Sequence, residues 1–282
     1  MVRLLAIALI LSVVASPGSA RADEPLALRR SWAGNLDFFS TGAPLATDTN
    51  NDGKVDQPAQ PGKVTVSALE VPPGAEVDAA YLYWGATQVA SSCDPAKLDK
   101  EVTFTPPGGA AMAVAADVCH CSASPGYDMM LCRAEVTKLV DGLAGDYAVE
   151  GLNALIKNDD TNNASFAIVL VYQQDALPQR RIDLYDGLLG LSGSGTPTTT
   201  VVLDGVKITN PPLGDLTWYA LEGDVAVNQN EFVEVKALPG GGVAKLSDAV
   251  NPANNPFNRT INTINPAQTG VTGVDVDRFS LA

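Results

Sequence analysis

The chain has 282 residues, of which 46% are hydrophobic, and 32 acidic residues against 18 Lys and Arg give a net charge of −14. This balance argues against a nucleic-acid surface, because phosphate binding needs clustered basic residues. It suits divalent cations, which prefer carboxylate oxygens, although solubility alone is an alternative reason for the acidity. The 25 Gly and 19 Pro residues among short apolar runs favour a turn-rich sheet protein.

Residues 1–22 have the pattern of a secretory signal peptide. Arg3 precedes an apolar run over residues 4–15, and residues 20–22 form a small-x-small cleavage site. The run is shorter than the roughly 20 apolar residues that cross a bilayer. Cleavage would leave a mature chain that begins at Asp23, carries a net charge of about −16 and is secreted or held at the cell surface.

Strand-like runs recur along the mature chain. The run at 165–172 is almost wholly apolar and predicts a central strand buried on both faces. One segment, 134–142, has apolar residues at helical spacing and predicts a short crossover helix. Further strands are predicted at 63–69, 77–84, 101–105, 111–118, 181–185, 198–203, 216–221 and 231–238.

These elements predict an all-β fold of two β-sandwich, jelly-roll-like lobes joined with one short crossover helix. The division is placed where the apolar run 165–172 gives way to a polar, Pro-containing stretch. The N-terminal lobe is then 23–175 and the C-terminal lobe 176–282, and the alternative is two halves of one continuous domain.

The cysteines form one cluster in the N-terminal lobe. In an exported protein an even number of closely spaced cysteines predicts disulfides. Of the three pairings, we expect Cys93–Cys119 with Cys121–Cys132, the second closing a short loop through residues 125–126. The alternative is a metal site formed by Cys119, His120, Cys121 and Cys132, which an oxidising compartment disfavours.

The strongest chemical motif is the acidic stretch 48–56, which matches the first nine positions of a calcium-binding loop. Gly53 occupies the sharp turn at position 6, but Ala59 stands where a bidentate carboxylate is usual at position 12. We therefore expect weak structural Ca²⁺ binding, about 10⁻⁴–10⁻³ M, and a plain Asn/Asp/Gly turn is the alternative. The predicted ligands are Asp48, Asn50, Asp52, Asp56 and the backbone carbonyl of Lys54.

Catalytic chemistry has less support. His120 is the only histidine, and the sequence has no G-x-S-x-G elbow, H-E-x-x-H motif or phosphate-binding glycine loop. Glu222 and Asp224 would share a strand face and supply the two carboxylates of a glycosidase. The aromatic side chains offer either a sugar-stacking platform or ordinary core; they are Tyr81, Tyr83, Trp84, Trp218 and Tyr219.

Seven segments occur in a fixed order: 80–85, 134–140, 165–172, 182–188, 222–224, 251–258 and 273–277. The series resembles a poorly characterised family of secreted β-sandwich modules in surface-associated, adhesin-like proteins of myxobacteria, Bacteroidetes and other bacteria. The resemblance spans about residues 32–279 and brings no catalytic residues with it. Because such modules continue for one or two strands beyond the last segment, the C-terminal lobe is expected to be incomplete.

Together these features predict a secreted, non-catalytic module of the cell surface or extracellular matrix, adhesive in role and stabilised by calcium. The expected partner is a polysaccharide or a surface protein, with no nucleic acid and no membrane span. The alternative is a carbohydrate-active enzyme or carbohydrate-binding protein that uses Glu222 and Asp224.

Overall fold

The computed structural model describes residues 24–88, 93–94, 96–124, 127–157, 162–191, 198–203, 214–221, 223, 231–236 and 242–281. Strands dominate this part of the chain, so the all-β prediction is confirmed. The strands are β1 Glu24–Pro44, β2 Ala46–Thr47, β3 Gln57–Pro58, β4 Gly62–Val66, β5 Glu76–Gln88, β6 Glu101–Thr105, β7 Met112–Ala115, β8 Val118–Ser124, β9 Tyr127–Glu135, β10 Gly145–Glu150, β11 Ala164–Gln173, β12 Gln179–Leu188, β13 Gly214–Leu221, β14 Glu234–Lys236, β15 Val243–Lys245, β16 Thr260–Ile261, β17 Gln268–Thr269 and β18 Val274–Leu281.

A six-stranded antiparallel sheet forms the middle layer, in the order β12-β1-β11-β5-β9-β8. Strand β11 lies between β1 and β5, and its side chains are buried along almost its whole length. The apolar run at 165–172 is therefore the central strand that its composition predicts.

Strand β1 pairs with two neighbouring strands along different parts of its length. Its residues 36–44 pair with β11, whereas its residues 24–35 pair with β12. At the junction, the Asn35 amide donates hydrogen bonds to the carbonyls of Asp175 and Leu177, which fixes the connection between β11 and β12. The predicted division between residues 175 and 176 thus falls within this connection, and the strand that follows it belongs to the same sheet as the strand that precedes it.

The first core lies between the middle sheet and a four-stranded sheet of order β4-β10-β6-β7. Alternate residues of β5, including Leu82 and Trp84, meet Phe104 and Tyr147 from the smaller sheet, and all four side chains are fully buried. Burial of each such side chain stabilises the fold by roughly 1.5–3 kcal/mol.

The second core lies on the opposite face of the middle sheet. Tyr81 and Tyr83 of β5 point into it, because side chains alternate along a strand. The N-terminal half of β1 and β12, at one end of the middle sheet, contribute residues to this core, and a sheet of order β13-β18-β16-β17 covers it with Ile261, Val274 and Val276. The aromatic residues of β5 are therefore core, and the described molecule has three β layers.

Two predicted secondary-structure elements are wrong. The expected crossover helix at 134–142 is strand β9 followed by a single 3₁₀ turn, Thr137–Leu139. This segment is held against β5, where Val136 N–H donates to the Ala80 carbonyl, and its apolar residues point into the first core without forming a helix. The expected strand at 198–203 has no strand pairing. Among the described residues, no helix is long and apolar enough to cross a membrane.

Candidate functional site

The acidic stretch 48–56 is the loop of a small hairpin. Strands β2 and β3 pair at its base, and Asp56 N–H donates to the Thr47 carbonyl over 2.9 Å. Val55 is 1% exposed and anchors the loop in the first core. Asn51 and Gly53 have φ values of 58° and 88°, in the left-handed region that Gly and Asn adopt most readily. The loop is therefore closed and tied down at its base.

Three of the predicted calcium ligands converge around one turn of this loop. The Asp48 carboxylate accepts hydrogen bonds from the backbone N–H groups of Asp52 (3.2 Å) and Gly53 (2.7 Å). The Asn50 side-chain oxygen also accepts from Asp52 N–H at 2.9 Å, and the Asp52 carboxylate accepts from Lys54 N–H at 3.0 Å. These Asx-type bonds also satisfy the description of a plain turn.

The fourth predicted side-chain ligand points elsewhere. Asp56 accepts from the backbone N–H and the hydroxyl of Thr49, at 3.0 and 2.6 Å. In the described part of the chain, the group of His, Cys, Asp and Glu ligand atoms within 4.8 Å of one another is Cys93, Cys121 and Asp128. The carboxylates of Asp48, Asp52 and Asp56 do not form such a group of three, so the loop fits a hard cation only in part.

Arg259 lies directly against the loop. A Cβ atom added to Gly53 would stand 2.9 Å from Arg259 Nη1, so a side chain at residue 53 would displace the guanidinium. Arg259 is 5% exposed, and its Nε donates to the Gly223 carbonyl. The loop thus packs on the Asn-rich segment that follows β15.

The cysteines form two disulfides, but the predicted pairing is wrong. The structure joins Cys93 to Cys121 and Cys119 to Cys132. The register of the β8–β9 hairpin places Cys119 opposite Cys132, with 4.0 Å between their Cα atoms, which leaves Cys121 for Cys93. Since all four sulfurs are bonded, the alternative metal site through Cys119, Cys121 and Cys132 is wrong as well.

The polar groups near the disulfides have structural partners. His120 Nδ1 lies 2.7 Å from a Glu24 carboxylate oxygen, which links β8 to the start of β1. Asp128 is 1% exposed and accepts a hydrogen bond from Cys93 N–H at 2.6 Å. The only histidine of the sequence therefore pairs with a carboxylate, and among the described residues no serine or cysteine hydrogen bond to its ring is observed.

The proposed carboxylate pair of the alternative enzyme, Glu222 and Asp224, lies outside the described residues. Of the remaining candidate aromatic residues, Trp218 stacks on Phe279 with 4.7 Å between ring centroids. Tyr219 shares a 2.8 Å hydrogen bond with the Ser165 hydroxyl. The Trp218 contact thus lies within the β13-β18-β16-β17 sheet, whereas the Tyr219 contact joins that sheet to β11 of the middle sheet.

Sequence reasoning missed a buried polar cluster on the outer face of the β13-β18-β16-β17 sheet. In β18, Val274 and Val276 point into the second core, so Asp275 and Asp277 point away from it, yet both acids are fully buried. The segment 248–262 covers them. Asp277 Oδ1 accepts from Asn251 Nδ2 and from Asn262 N–H, both at 3.2 Å. The Val-Asp-Val-Asp alternation predicts an acidic strand face, but no pattern in the neighbouring sequence predicts that segment 248–262 covers this face.

Burial dominates the electrostatics of this cluster. It raises the pKa of Asp277 to about 7, although the hydrogen bonds from Asn251, Thr260 and Asn262 oppose the shift. The nearby charge of Asp248 raises that pKa further. The carboxylate of Asp277 is therefore held in an environment that disfavours its negative charge.

Two open depressions flank residue Gly270. One, of about 180 Å³, is lined by Asp48 and Asn51 of the hairpin loop, and the other, of about 200 Å³, by Asn258 and Thr260. Pockets that hold small-molecule ligands usually span about 300–1,000 Å³, so neither depression has the size of a typical substrate pocket. Comparison with protein-family models, curated proteins and solved structures finds no match to this chain.

Proposed function

We propose that the chain is a secreted, non-catalytic β-sandwich module of the cell surface or extracellular matrix that binds a polysaccharide or another surface protein. The disulfides Cys93–Cys121 and Cys119–Cys132 carry this proposal, because such bonds persist in oxidising compartments. The predicted signal peptide, 1–22, ends just before β1 begins at Glu24. The family resemblance points to the same setting and to an adhesive role.

A binding role is favoured over catalysis by how the reactive side chains are used. The four cysteines are bonded to each other, and His120 pairs with Glu24. The depressions of about 180 and 200 Å³ suit contacts with a surface or an extended chain better than enclosure of a small substrate.

The proposal includes weak structural calcium binding by the hairpin loop. Asp48, Asn50 and Asp52 already lie around one turn, with side-chain oxygens of the type that Ca²⁺ prefers. Asp56 would have to leave Thr49 to join them, and water would replace the missing carboxylate at Ala59. These two requirements support an affinity no tighter than about 10⁻⁴ M.

Export and oxidation can be tested together. The full chain, expressed in a bacterium with its own signal, should appear outside the cytoplasm with Asp23 as its first residue. Unreduced, denatured protein should show no free thiols, and peptide mapping should recover Cys93 with Cys121. Retention in the cytoplasm with four reactive thiols would contradict the proposal.

The binding role can be tested with an array of polysaccharides and a reducing-end assay. We expect saturable binding to at least one acidic or neutral polysaccharide and no product. Product formation that Glu222→Gln abolishes, while the control Glu101→Gln on β6 leaves it unchanged, would instead establish the carbohydrate-active enzyme.

A further inference from the structure

Three oxygen atoms of the buried polar cluster surround one hydroxyl group. Thr260 Oγ1 lies 2.6 Å from Asn251 Oδ1, 3.0 Å from Asn258 Oδ1 and 3.1 Å from Asp277 Oδ1. A hydroxyl carries one proton, so it can donate to only one of these three acceptors. We call these four oxygens the Thr260 oxygen cluster.

The amide orientations give the side-chain oxygens of Asn251 and Asn258 no donor besides the Thr260 hydroxyl. Asn258 Nδ2 donates to the Val250 carbonyl at 2.7 Å, which turns its oxygen towards Thr260. Asn251 Nδ2 lies 3.2 Å from a carboxylate oxygen of Asp248 and 3.2 Å from one of Asp277. A flip of either amide would place oxygen against oxygen, so two acceptors in the cluster still face a lone pair at close range.

Asp277 supplies a second, independent sign of a missing positive partner. Its side chain is fully buried, and its other carboxylate oxygen, Oδ2, has no hydrogen-bond partner among the described residues. A buried carboxylate oxygen without a donor pays the cost of desolvation with no compensating hydrogen bond. A bound cation would offset this cost at Asp277 and the crowding of oxygens at Thr260.

We infer that the Thr260 oxygen cluster is a binding site for a hard divalent cation, with Ca²⁺ the best match. The ligands are the Asp277 carboxylate, the side-chain oxygens of Asn251 and Asn258, and the Thr260 hydroxyl. Ca²⁺ takes six to eight oxygen ligands at about 2.3–2.6 Å, in flexible geometry. The three acceptor oxygens lie 2.6 to 3.1 Å from Thr260 Oγ1, so four candidate ligands are already gathered in one place.

This site is separate from the hairpin loop and does not depend on it. Its residues come from β16, β18 and the Asn-rich segment, whereas the loop joins β2 to β3. Asp248 lies next to the cluster and accepts from the amides of Asn251 and Asn262, so it adds negative charge that favours a cation. A proton on Asp277 is the competing way to relieve the cluster.

Terbium, a luminescent substitute for Ca²⁺, can report on this site through Trp218. Trp218 is the cross-strand partner of Asp277, and its ring stacks on Phe279 on the same strand face as Asp277. The mature chain with Asp52→Ala, which weakens the hairpin loop, should give saturable terbium emission on tryptophan excitation. Calcium should displace that emission.

Four variants made in the same background test the inference. Asp277→Asn keeps the shape of the side chain and should weaken terbium and calcium binding at least tenfold. Asp215→Asn, which neutralises another carboxylate of the same sheet, should leave both unchanged. Thr260→Val should weaken binding and Thr260→Ser should retain it, and circular dichroism in chelator checks that each variant is folded.

The inference is overturned if folded Asp277→Asn binds terbium and calcium as tightly as its parent. It is also overturned if the Asp52→Ala parent gives no calcium heat and no sensitised emission, because the proton alone would then satisfy the cluster. A difference between wild type and Asp52→Ala reports only on the hairpin loop, so failure of the two sites can be told apart.

Discussion

The hairpin loop and the Thr260 oxygen cluster both gather Asp and Asn oxygens near Gly270, but they match acceptors with donors differently. In the loop, backbone N–H groups donate to Asp48, Asn50 and Asp52, and solvent reaches the exposed side chains. In the cluster, the side-chain oxygens of Asn251 and Asn258 share the one proton of the Thr260 hydroxyl, and Asp277 is fully buried. A recognisable metal-loop motif can thus satisfy itself as a turn, whereas the buried cluster leaves Asp277 Oδ2 without a donor among the described residues.

The largest expected effect is a loss of stability of the metal-free protein as pH rises. Burial raises the pKa of Asp277 to about 7, so the folded state keeps a proton that the unfolded chain releases near pH 4. The stabilisation from that proton is complete below about pH 4 and is lost as pH rises through 7. Urea unfolding in chelator should show a decrease of a few kcal/mol in the free energy of unfolding between pH 5 and pH 8.

Asp277→Asn should remove this pH dependence of stability if Asp277 is the group that causes it. Its neutral amide cannot titrate, so the free energy of unfolding in chelator should become nearly flat over this range and exceed that of wild type at pH 8. Asp52→Asn in the hairpin loop is the matched control and should keep the wild-type slope. Equal slopes for wild type and Asp277→Asn would show that Asp277 is not the titrating group.

A smaller effect is expected from removing the single proton of the Thr260 hydroxyl. Thr260→Val keeps the shape but leaves the oxygens of Asn251, Asn258 and Asp277 without that donor, at a cost of roughly 1–3 kcal/mol. Thr260→Ser should stay within about 0.5 kcal/mol of wild type, and so should Asn50→Ala in the exposed loop. Chemical unfolding in chelator measures the stability of all three variants. A Val variant as stable as the Ser variant would show that the surrounding oxygens do not need the Thr260 hydroxyl as a donor.

Local patterns explain which parts of the fold the sequence predicted. The strand at 101–105 has the bounds of β6, and the run at 165–172 lies within β11, because alternation and apolar content are properties of a few neighbouring residues. The apolar spacing at 134–142 wrongly predicted a helix. The apolar residues of this segment lie in the first core, but they reach it from the end of β9 and a 3₁₀ turn. Tertiary packing, not local propensity, fixed that segment.

Long-range pairing explains what the sequence could not predict. The disulfide partners depend on the β8–β9 register, which sets Cys119 opposite Cys132. The Thr260 oxygen cluster forms only because the segment from Asn251 to Asn258 folds over Asp277. The period-two pattern of β18 would instead place Asp277 on a strand face that is open to solvent. Neither the disulfide pairing nor the oxygen cluster can be predicted from the spacing of residues along the chain.

Calcium should give a modest increment in stability at each site. With 10 mM Ca²⁺ and a dissociation constant of about 1 mM, the gain is about 1.4 kcal/mol per site. Asp52→Ala should remove the increment of the loop, Asp277→Asn that of the cluster, and the double variant should show none. Calorimetric melting with and without calcium tests this, and an increment in the double variant would place the binding elsewhere.

The smallest expected effect comes from Asp215, a carboxylate of the same sheet that has matched donors. Burial alone would raise its pKa, but hydrogen bonds from Arg278 at 2.8 Å and Ser280 at 2.7 Å outweigh burial and lower it. Its contribution is therefore present near neutral pH and is lost as pH falls through the lowered pKa, the opposite sign to Asp277. Because Arg278 is 31% exposed, Asp215→Asn should cost less than about 1 kcal/mol at pH 7. Urea unfolding from pH 7 to pH 3 measures the difference from wild type. A gain in stability for Asp215→Asn at pH 7 would mean that burial, rather than the balance of donors, decides the behaviour of both acids.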